Sequence, residues 1–495
     1  MQKATLFKKL ISLILLVLSF TSDLYAQEIS PMLVGNNAWY TNPSDQVWQL
    51  TKDCGVKTIR IGGNAYNDNM PSNGTLSGWV DKIREIGAVP IIQVSQKISA
   101  SQAAGVVQYF NVTLVAQGKS PIKYWNIGNE PWLEANEPPI ADVAPDVESY
   151  FKPLSAAMKE VDPTIKIFGP DFSYYIEEAI NDLFGGANDI AGKIPGKDYY
   201  YCDGISWHRY PQDNDINLAY EGLAGYETSI KKCKAKVDQI NNDYNRTGED
   251  ALEWSIGEFN AKDGSLVHTW ENGQMFGGVL GLCMKYEAKY AATWSMFENS
   301  GSRQGSDFSF IDGQNMVPRA SYRHLEFVAK HFTGEYLNGE SSNTNTIVFG
   351  AKDGNKISMM IMNRESGRKL NYTVRLNLEN KSQVNGELFS IDASSSETYS
   401  ASIDPNTTHV LIFENQQLIK YTYNSNHFDN ELAPSRVDFN NTSTDNSQTA
   451  FEIAIATDYQ NVINKAQNTY MRPKDGAANQ KIHQWETSAQ AAGDF

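Results

Sequence analysis

Cysteine and histidine are scarce in this chain of 495 residues, which contains four cysteines and seven histidines. No close cysteine or histidine spacing has the form of a zinc site, so we predict no metal and no cofactor. Cys54, Cys202, Cys233 and Cys283 would allow three pairings if all were bridged. The cysteines at 54, 233 and 283 fall within helical patterns, where a buried thiol is the ordinary finding. Free thiols are therefore favoured over any disulfide.

Basic residues are also in the minority, with 42 lysines and arginines against 58 acidic residues and a formal net charge of −16. Nucleic-acid phosphates would be repelled by such a chain, so a nucleic-acid partner is excluded. The composition of an acidic, soluble, secreted protein accounts for this charge without a special partner. We expect a monomer.

Long apolar runs are missing beyond the first 26 residues, so no membrane span is predicted there. At the start, Lys8 and Lys9 precede an apolar run at 10–20, and Leu24-Tyr25-Ala26 offers a cleavage site before Gln27. This pattern predicts a signal peptide at 1–26 and a secreted, periplasmic or cell-surface protein. The run is short for a membrane span, which makes a retained anchor the less favoured alternative.

From about residue 31 the chain alternates short apolar runs with amphipathic stretches, the pattern of repeated βα units. The alternation predicts an α/β chain whose eight parallel strands close into a (β/α)8 TIM barrel over residues 27–334. The predicted strands lie at 32–35, 58–62, 89–94, 124–127, 165–169, 204–208, 253–257 and 291–294. The predicted helices lie at 45–54, 76–86, 146–160, 272–290 and 320–331. Two long connections, at 133–145 and 185–201, are expected on the face that carries the active site.

Beyond residue 334 the apolar period changes to two, which predicts a small all-β sandwich at 335–415. Its predicted strands are 346–349, 356–362, 372–378, 387–390 and 409–413, and residues 28–30 are a candidate for its first strand. Residues 416–495 are polar and rich in Asn, Gln, Ser and Thr. A partly disordered extension is favoured there over a third domain.

Two predicted strands end in a glutamate. The run 124–127 leads into Gly128-Asn129-Glu130, and Pro131 prevents further ladder pairing. A second run, 252–257, leads directly into Glu258. If both strands belong to one barrel, their carboxyl ends meet at its mouth. A retaining glycosidase needs two such carboxyl groups about 5 Å apart, one as acid/base and one as nucleophile.

These motifs resemble the clan A glycoside hydrolases, which are retaining enzymes on a (β/α)8 barrel. The resemblance implies that Glu130, after the fourth strand, is the acid/base and that Glu258, after the seventh, is the nucleophile. It also implies that Asn129 binds the sugar 2-hydroxyl in the transition state. A turn-forming Asn and solvated surface carboxylates are the alternative interpretations of these residues.

Further positions match the same clan. His208 and Tyr210 follow the sixth strand as His-x-Tyr, where the resemblance implies that they orient the nucleophile. The second strand runs into Arg60-Ile61-Gly62-Gly63-Asn64, and Arg60 would keep Glu258 ionised. Trp294 closes the eighth strand and matches an aromatic platform for the sugar. The alternative interpretations are a buried core histidine for His208, an internal ion pair for Arg60 and a core tryptophan for Trp294.

Other candidates depend on their position near strand ends alone. Trp132 follows the acid/base motif directly, and Asn36, Asn64 and Asp171 offer partners for sugar hydroxyls. Trp39, Trp207 and Trp270 either extend the cleft or pack in the core. We expect Glu130 to lie among apolar groups that raise its pKa, and Glu258 among donors that lower it.

The sequence thus predicts a secreted glycoside hydrolase that cleaves β-glycosidic bonds in a polysaccharide by double displacement. Few basic residues are available at the mouth, which favours a neutral or lightly charged substrate. An exo-acting glycosidase, of glucuronidase or arabinofuranosidase type, is one alternative. A non-catalytic carbohydrate-binding protein on a barrel scaffold and a metal-dependent barrel enzyme are two others. The first of these would have lost a carboxylate, and the second needs clustered ligands.

Overall fold

The computed structural model describes residues 27–39, 42–131, 143–211, 216–262, 264–298, 307–313, 315–341, 343, 345–377, 397–414, 417–440 and 451–456. Within these ranges, no helix combines the length and the apolar character needed to cross a membrane. The predicted signal peptide, Trp132 and most of the connection at 133–145 lie outside the described residues, as does the predicted strand at 387–390.

Eight parallel strands close into a barrel in the order β1 to β8, so the predicted fold is confirmed. They are β1 (Val34–Ala38), β2 (Thr58–Ile61), β3 (Val89–Val94), β4 (Tyr124–Ile127), β5 (Lys166–Phe172), β6 (Gly204–Arg209), β7 (Glu253–Phe259) and β8 (Ala291–Thr293). The ring closes where Gly35 of β1 pairs with Ala292 of β8. Almost every strand residue is buried, as expected for parallel strands that are covered by helices on the outside.

Helices cover the outside of the barrel, and polar caps set several of their ends. The longer ones are Asp45–Cys54, Asn73–Glu85, Ala100–Val107, Val143–Val161, Ile216–Asp243, Trp270–Lys285 and Ala320–His331. The Ser44 hydroxyl accepts from the backbone N–H of Val47 at the first helix, and Gly55 ends it in the left-handed region at φ 83°. The sequence pattern missed Ala100–Val107 and Ile216–Asp243, and it placed the end of Trp270–Lys285 too late.

The connection at 185–201 lies at the opposite end of the barrel from the predicted one. The helix Glu177–Leu183 already returns the chain after β5, so the connection leads into the amino end of β6. There the Arg246 guanidinium, which precedes β7, donates to the backbone oxygens of Ala191 and Cys202. The expectation that this connection belongs to the active face was therefore wrong, because the helix before it was not recognised.

Beyond the barrel, nine strands form one sheet in the order β15-β14-β19-β11-β12-β13-β16-β17-β18. Along the chain between β8 and this sheet, β9 (Ile311–Asp312) and β10 (Val317–Pro318) form a short antiparallel hairpin. The sheet strands are β11 (Glu335–Ser341), β12 (Thr346–Asp353), β13 (Lys356–Asn363), β14 (Leu370–Asn377), β15 (Glu397–Ile403), β16 (Thr407–Glu414), β17 (Gln417–Asn424), β18 (Ser435–Asn440) and β19 (Phe451–Ala456). Residues 28–30 add a single bridge, Glu28 to Glu335, and no full strand.

The sheet folds over itself around its own apolar core. Tyr372 of β14 packs there with Ile361 of β13 and Leu411 of β16, and the Tyr372 hydroxyl lies 3.0 Å from the His409 Nδ1. Strands β17, β18 and β19 all lie beyond residue 415. The predicted end of the β region at 415 was therefore wrong, because pairing with distant strands orders segments whose local composition is polar.

The sheet docks on the helix Trp270–Lys285 through glycines. An added Cβ at Gly277 would lie 2.9 Å from the Met362 sulfur, and one at Gly281 would lie 2.5 Å from the Phe349 ring. The absence of side chains at these positions lets the sheet approach the helix closely. Gln274 of the same helix donates to the backbone oxygens of Asn363 and Thr407. Barrel and sheet consequently share one packed interior.

Candidate active site

Glu130 and Glu258 meet at the carboxyl ends of the barrel strands. After β4, Gly128 (φ 78°) and Glu130 (φ 44°) adopt left-handed backbone conformations that turn the chain sharply. The Glu130 N–H donates to the Asp171 carbonyl oxygen at 2.9 Å, which fixes the turn against β5. Glu258 lies within β7, which ends at Phe259, two residues beyond the predicted strand end at 257. One carboxylate oxygen of each glutamate and one His208 ring nitrogen lie within 4.8 Å of one another.

Two donors hold the Glu258 carboxylate. Arg60 Nη1 donates to its Oε1 at 2.9 Å, and the Tyr210 hydroxyl donates to its Oε2 at 2.9 Å. Burial and the Glu258 charge raise the pKa of Tyr210 well above its ordinary value, so the phenol keeps the proton that it donates. With both oxygens bound, the carboxylate is fixed in one orientation, as an attacking group requires.

Arg60 is the centre of a wider buried network. Its guanidinium is fully buried and lies 3.1 Å from Asp171 Oδ2 in a second ion pair. It also donates to the side-chain oxygens of Asn37, Gln93 and Asn129. Five acceptors around one arginine satisfy a buried cation that would otherwise be costly. Asp171 was predicted as a partner for a sugar hydroxyl. Its carboxylate instead accepts hydrogen bonds from the side chains of Arg60, Asn126 and Ser206.

A different pair of donors holds the Glu130 carboxylate. Asn64 Nδ2 donates to its Oε2 at 2.9 Å, and His208 Nδ1 lies 2.9 Å from its Oε1. His208 is farther from the other glutamate, at 3.5 Å from Glu258 Oε2. The prediction that His208 orients the nucleophile therefore needs correction, since its shorter contact is with Glu130. Asn129 donates to the Asn64 oxygen at 2.9 Å and so belongs to the same cluster.

The two carboxyl groups have shifted pKa values in the directions opposite to those predicted. Burial raises the pKa of Glu130, but the hydrogen bond and charge of His208, with smaller contributions from Asn64 and Arg60, outweigh it and leave the pKa lowered. Burial raises the pKa of Glu258, and the Glu130 charge adds to this against His208 and Arg60. The sequence did not show that His208 binds Glu130 or that Glu258 is the more deeply buried of the two.

His208 carries a raised pKa. Burial lowers the pKa of the imidazole, but the carboxylates of Glu258, Glu130 and Asp171 outweigh burial. The surrounding carboxylates thus favour the protonated form of the ring, whose Nδ1 lies within hydrogen-bond distance of Glu130. The arrangement places a group that can carry a proton one hydrogen bond away from a carboxylate.

Two indole rings form one side of the site. Trp294 follows β8, and its ring stacks with that of Trp39 at a centroid distance of 6.4 Å and an interplanar angle of 13°. Gly63, at φ 118°, lies against the Trp294 ring so closely that an added Cβ would be 2.7 Å from it. Trp294 is thus half-buried beside the strand ends, where a sugar face can stack on it.

The remaining candidates lie elsewhere. Asn36 is fully buried, and its neighbour Asn37 occupies the position that contacts Arg60. Trp207 packs edge-on against Tyr175 in the core. Trp270 packs against aromatic rings of the helix Ala320–His331 and of β17, so neither tryptophan extends the cleft.

Residues that the sequence pattern missed include Asn37, Gln93 and Glu298. Gln93 is the one polar residue of the buried strand Val89–Val94, a signal that was available. Asn37 was hidden by a predicted β1 that ended three residues too early, at 35 rather than 38. Glu298 follows Trp294 by four residues and carried no signal of its own.

Glu130, His208 and Glu258 are of residue types that can bind a metal ion. Among the described residues, their ligand atoms lie close enough together to do so. Their atoms already bind one another, and the Arg60 cation lies 2.9 Å from the Glu258 carboxylate. A metal ion would have to displace or face that cation. The donor set therefore fits acid/base and nucleophilic chemistry better than metal binding.

Solved structures that are similar to this chain include several glycoside hydrolases. The GH51 α-L-arabinofuranosidase of Thermotoga petrophila has a TM-score of 0.56 at 15% identity, over 78% of this chain and 98% of that one. CelM2, a bifunctional glucanase-xylanase from a metagenome library, has a TM-score of 0.56 at 13% identity, over 79% and 97%. A GH family 44 xyloglucanase of Paenibacillus polymyxa has a TM-score of 0.52 at 11% identity, over 78% and 97%.

At these identities the likeness shows a shared fold. The predicted resemblance to clan A glycoside hydrolases is thereby confirmed at the level of the (β/α)8 barrel. No protein-family model matches the sequence, and no curated protein matches it.

Proposed function

We propose that this protein is a retaining glycoside hydrolase with Glu258 as nucleophile and Glu130 as acid/base. The observation that carries the proposal is the pairing of these carboxylates at the mouth of the barrel, with group atoms within 4.8 Å of one another. Retaining glycosidases need a separation of about 5–5.5 Å between the two carboxyl groups, whereas inverting enzymes need room for a water molecule between them. The shared fold with glycoside hydrolases supports the same proposal.

In the first step, a Glu258 oxygen attacks the anomeric carbon while the bond from that carbon to the leaving oxygen breaks. The Glu130 carboxylic acid gives its proton to the leaving oxygen, and a glycosyl ester of Glu258 remains. In the second step, Glu130 takes a proton from water as the water oxygen attacks the same carbon. The ester bond breaks, Glu258 becomes a carboxylate again, and two inversions give net retention.

The proton that Glu130 needs has a source in the site. His208 Nδ1 lies 2.9 Å from Glu130 Oε1, and the neighbouring carboxylates raise the pKa of the imidazole, which favours its protonated form. When a sugar enters the site it displaces water, and the loss of water destabilises the charged forms of His208 and Glu130 relative to the neutral forms. The proton therefore moves from the imidazolium to the Glu130 carboxylate. Glu258 keeps its negative charge because Arg60 and Tyr210 stay bound to it.

The substrate in this proposal is a neutral polysaccharide with β-glycosidic bonds. Arg60 is occupied by Asp171 and Glu258, and His208 by Glu130. Lys97, beyond β3, pairs with Asp68. Because these described cations are already paired with carboxylates, they would bind a sugar carboxylate or sulfate only weakly. The glucanase, xylanase and xyloglucanase activities named for two of the similar structures support such a substrate.

A second candidate is an exo-acting α-L-arabinofuranosidase. Its support is the similarity to the Thermotoga petrophila arabinofuranosidase, whose TM-score equals that of CelM2 and whose chain is covered over 98%. Both candidates use the same two glutamates. They differ in whether product appears as oligosaccharides or as single arabinose units.

The experiment is to incubate the purified chain with xyloglucan, arabinoxylan and mixed-linkage β-glucan, with detection of new reducing ends. Chromatography of the products separates endo from exo action, and an NMR time course gives the first anomer formed. Retention supports the proposal, whereas an inverted first product excludes it. Secretion after cleavage of residues 1–26 and a monomeric state belong to the same proposal. N-terminal sequencing of exported protein and light scattering test them.

A further inference from the structure

Glu298 is a fully buried carboxylate that the mechanism above does not use. It lies just beyond β8, four residues after Trp294. Its Oε1 accepts from the Trp294 indole Nε1 at 2.8 Å. Its Oε2 accepts from the Phe308 backbone N–H at 2.7 Å. One carboxylate therefore binds the sugar platform with one oxygen and a neighbouring segment with the other.

That neighbouring segment reaches the nucleophile. The Phe308 ring meets the Tyr210 ring edge-on, with a centroid distance of 6.0 Å and an interplanar angle of 87°. Tyr210 in turn donates to Glu258 at 2.9 Å. A chain of contacts thus runs from Glu298 through Phe308 and Tyr210 to the attacking carboxylate.

Other hydrogen bonds fix the backbone around Glu298. The Glu298 N–H donates to the Ser309 hydroxyl at 2.8 Å, and the Ser295 N–H donates to the Phe308 carbonyl at 3.0 Å. Asn260, which follows β7, donates to the carbonyl oxygens of both Trp294 and Phe308. These hydrogen bonds join the segments at 294–298 and 308–309 to each other and to the end of β7.

We propose that Glu298 is a positioning residue that fixes the Trp294 platform and, through Phe308 and Tyr210, the orientation of Glu258. This inference rests on the proposed function, because the platform and the nucleophile are roles within that function. A buried carboxylate with two strong acceptor oxygens suits the task, since both donors are N–H groups. Glutamine has nearly the same shape but offers one acceptor oxygen and one NH2 group. That NH2 group would face the N–H of either Trp294 or Phe308.

The test is a double-mutant cycle on Glu298→Gln, with Trp294→Phe as the second change. Phenylalanine keeps an aromatic face but removes the indole N–H that Glu298 binds. On the polysaccharide that the wild type cleaves among xyloglucan, arabinoxylan and β-glucan, kcat/KM of Glu298→Gln should fall roughly tenfold to a hundredfold. In the Trp294→Phe background the same change should cost less, because only the contact with the Phe308 N–H remains to be lost. Equal losses in the two backgrounds would overturn the proposal.

A matched control separates positioning from lost stability. Asp203→Asn alters another buried carboxylate, which pairs with Lys159 at 2.6 Å at the opposite end of the barrel. Its melting temperature should fall while kcat/KM of the folded protein stays within about twofold of wild type. If Asp203→Asn lowers kcat/KM as much as Glu298→Gln does, the effect is one of stability and the proposal fails.

A second readout does not depend on activity. Protein labelled with 5-fluorotryptophan gives a 19F resonance for Trp294 that Trp294→Phe identifies by its disappearance. Glu298→Gln should move or broaden that resonance, and Asp203→Asn should leave it in place. An unmoved resonance contradicts the Glu298 proposal alone. If the wild type is inactive on all three polysaccharides, or Glu258→Gln keeps its activity, the proposed function fails instead.

Discussion

His208 Nδ1 lies 2.9 Å from Glu130 Oε1 and 3.5 Å from Glu258 Oε2, so the imidazole contacts the candidate acid/base more closely than the candidate nucleophile. The pair accounts for two pKa shifts. Burial lowers the pKa of His208, but its carboxylate neighbours raise it overall, and His208 helps to lower the pKa of Glu130 against the effect of burial. The same contact that supplies a proton in the proposed mechanism should therefore also contribute to folding stability.

The stability contribution of this pair should depend on pH in a defined window. A lowered folded pKa for Glu130 stabilises above the unfolded value of about 4.3 and is lost as the pH falls through the folded pKa. A raised folded pKa for His208 stabilises below the unfolded value of about 6.5 and is lost as the pH rises through the folded pKa. Both contributions are fully present between these two unfolded values.

We therefore expect the melting temperature of wild type to exceed that of His208→Asn by the largest margin between about pH 4.3 and 6.5. The margin should shrink on either side. Glu258 and Asp171, which also face the imidazole, are present in both proteins. Differential scanning fluorimetry from pH 3 to 9 measures the margin, and a constant difference across this range would contradict the pairing.

The two glutamates should respond differently to chemical rescue. Glu130→Gln and Glu258→Gln are each expected to lower kcat by at least about a thousandfold, because each removes a group from the reaction. Azide should restore activity to Glu258→Gly on an activated aryl glycoside and give the inverted glycosyl azide. In Glu130→Gly it should give the retained azide, since the glycosyl ester still forms. NMR of the isolated azides identifies each product.

Glu253→Gln is the matched control for these variants. Glu253 lies on the same strand as Glu258 but pairs with Lys289 at 2.8 Å near the amino end of β7. Its removal should leave turnover within about twofold of wild type, because an exposed or half-buried ion pair contributes little. Wild-type turnover in Glu258→Gly without azide would contradict the assignment of Glu258 as the nucleophile.

Tyr210 should affect catalysis more than folding. Tyr210→Phe removes one hydrogen bond to Glu258 but leaves Arg60 on the other oxygen, so the carboxylate is not left unpaired. Loss of a hydrogen bond to a charged group costs about 1.5–3 kcal/mol, which predicts a decrease in kcat/KM of roughly tenfold or more. Steady-state kinetics on the cleaved polysaccharide measures it.

Tyr322→Phe serves as the control, because Tyr322 is similarly buried and its hydroxyl donates to the Leu50 backbone oxygen at 2.8 Å, outside the cluster. We expect this variant to lose some stability and to keep its kcat/KM. Equal kinetic losses in the two variants would mean that Tyr210 acts only through the fold.

The barrel was predictable because its strands are short apolar runs bounded by polar residues and glycines. The helix Ile216–Asp243 was missed although its buried residues at 226, 230, 233, 237 and 240 recur at helical spacing. The strands after residue 415 gave a weaker signal. Gln417–Asn424 pairs with β16 over its full length, and its sequence does not reveal that partner.

The two catalytic candidates and Arg60 could be named from strand ends, but their contacts could not. Strand phase decides which side chain faces the barrel interior, and the predicted β1 ended before Asn37, so Asn36 was chosen. The distribution of charge depends on angstrom distances. His208 Nδ1 lies 2.9 Å from Glu130 and 3.5 Å from Glu258, and the shorter contact is the hydrogen bond that helps to lower the pKa of Glu130 against burial.

The docking of the sheet on the barrel gives the last prediction. Gly281 of the helix Trp270–Lys285 faces Phe349 of β12, and an added Cβ would lie 2.5 Å from that ring. Neither the helix backbone nor the packed ring can retreat freely, so Gly281→Ala should lower the free energy of unfolding by about 1–3 kcal/mol. Gly78 lies within the helix Asn73–Glu85 with no atom within 4 Å of an added Cβ. Gly78→Ala should instead stabilise the chain by about 0.4–1 kcal/mol.

Urea denaturation of both variants, followed by tryptophan fluorescence, measures the two free energies. Because the sheet and the barrel share one packed interior, we expect calorimetry to show a single unfolding transition for both the wild type and Gly281→Ala. The helix carrying Gly281 would then transmit the loss to both parts. Equal stability of Gly281→Ala and Gly78→Ala would show that Phe349 does not pack on this helix. A separate early transition of the sheet would show that the two parts are independent.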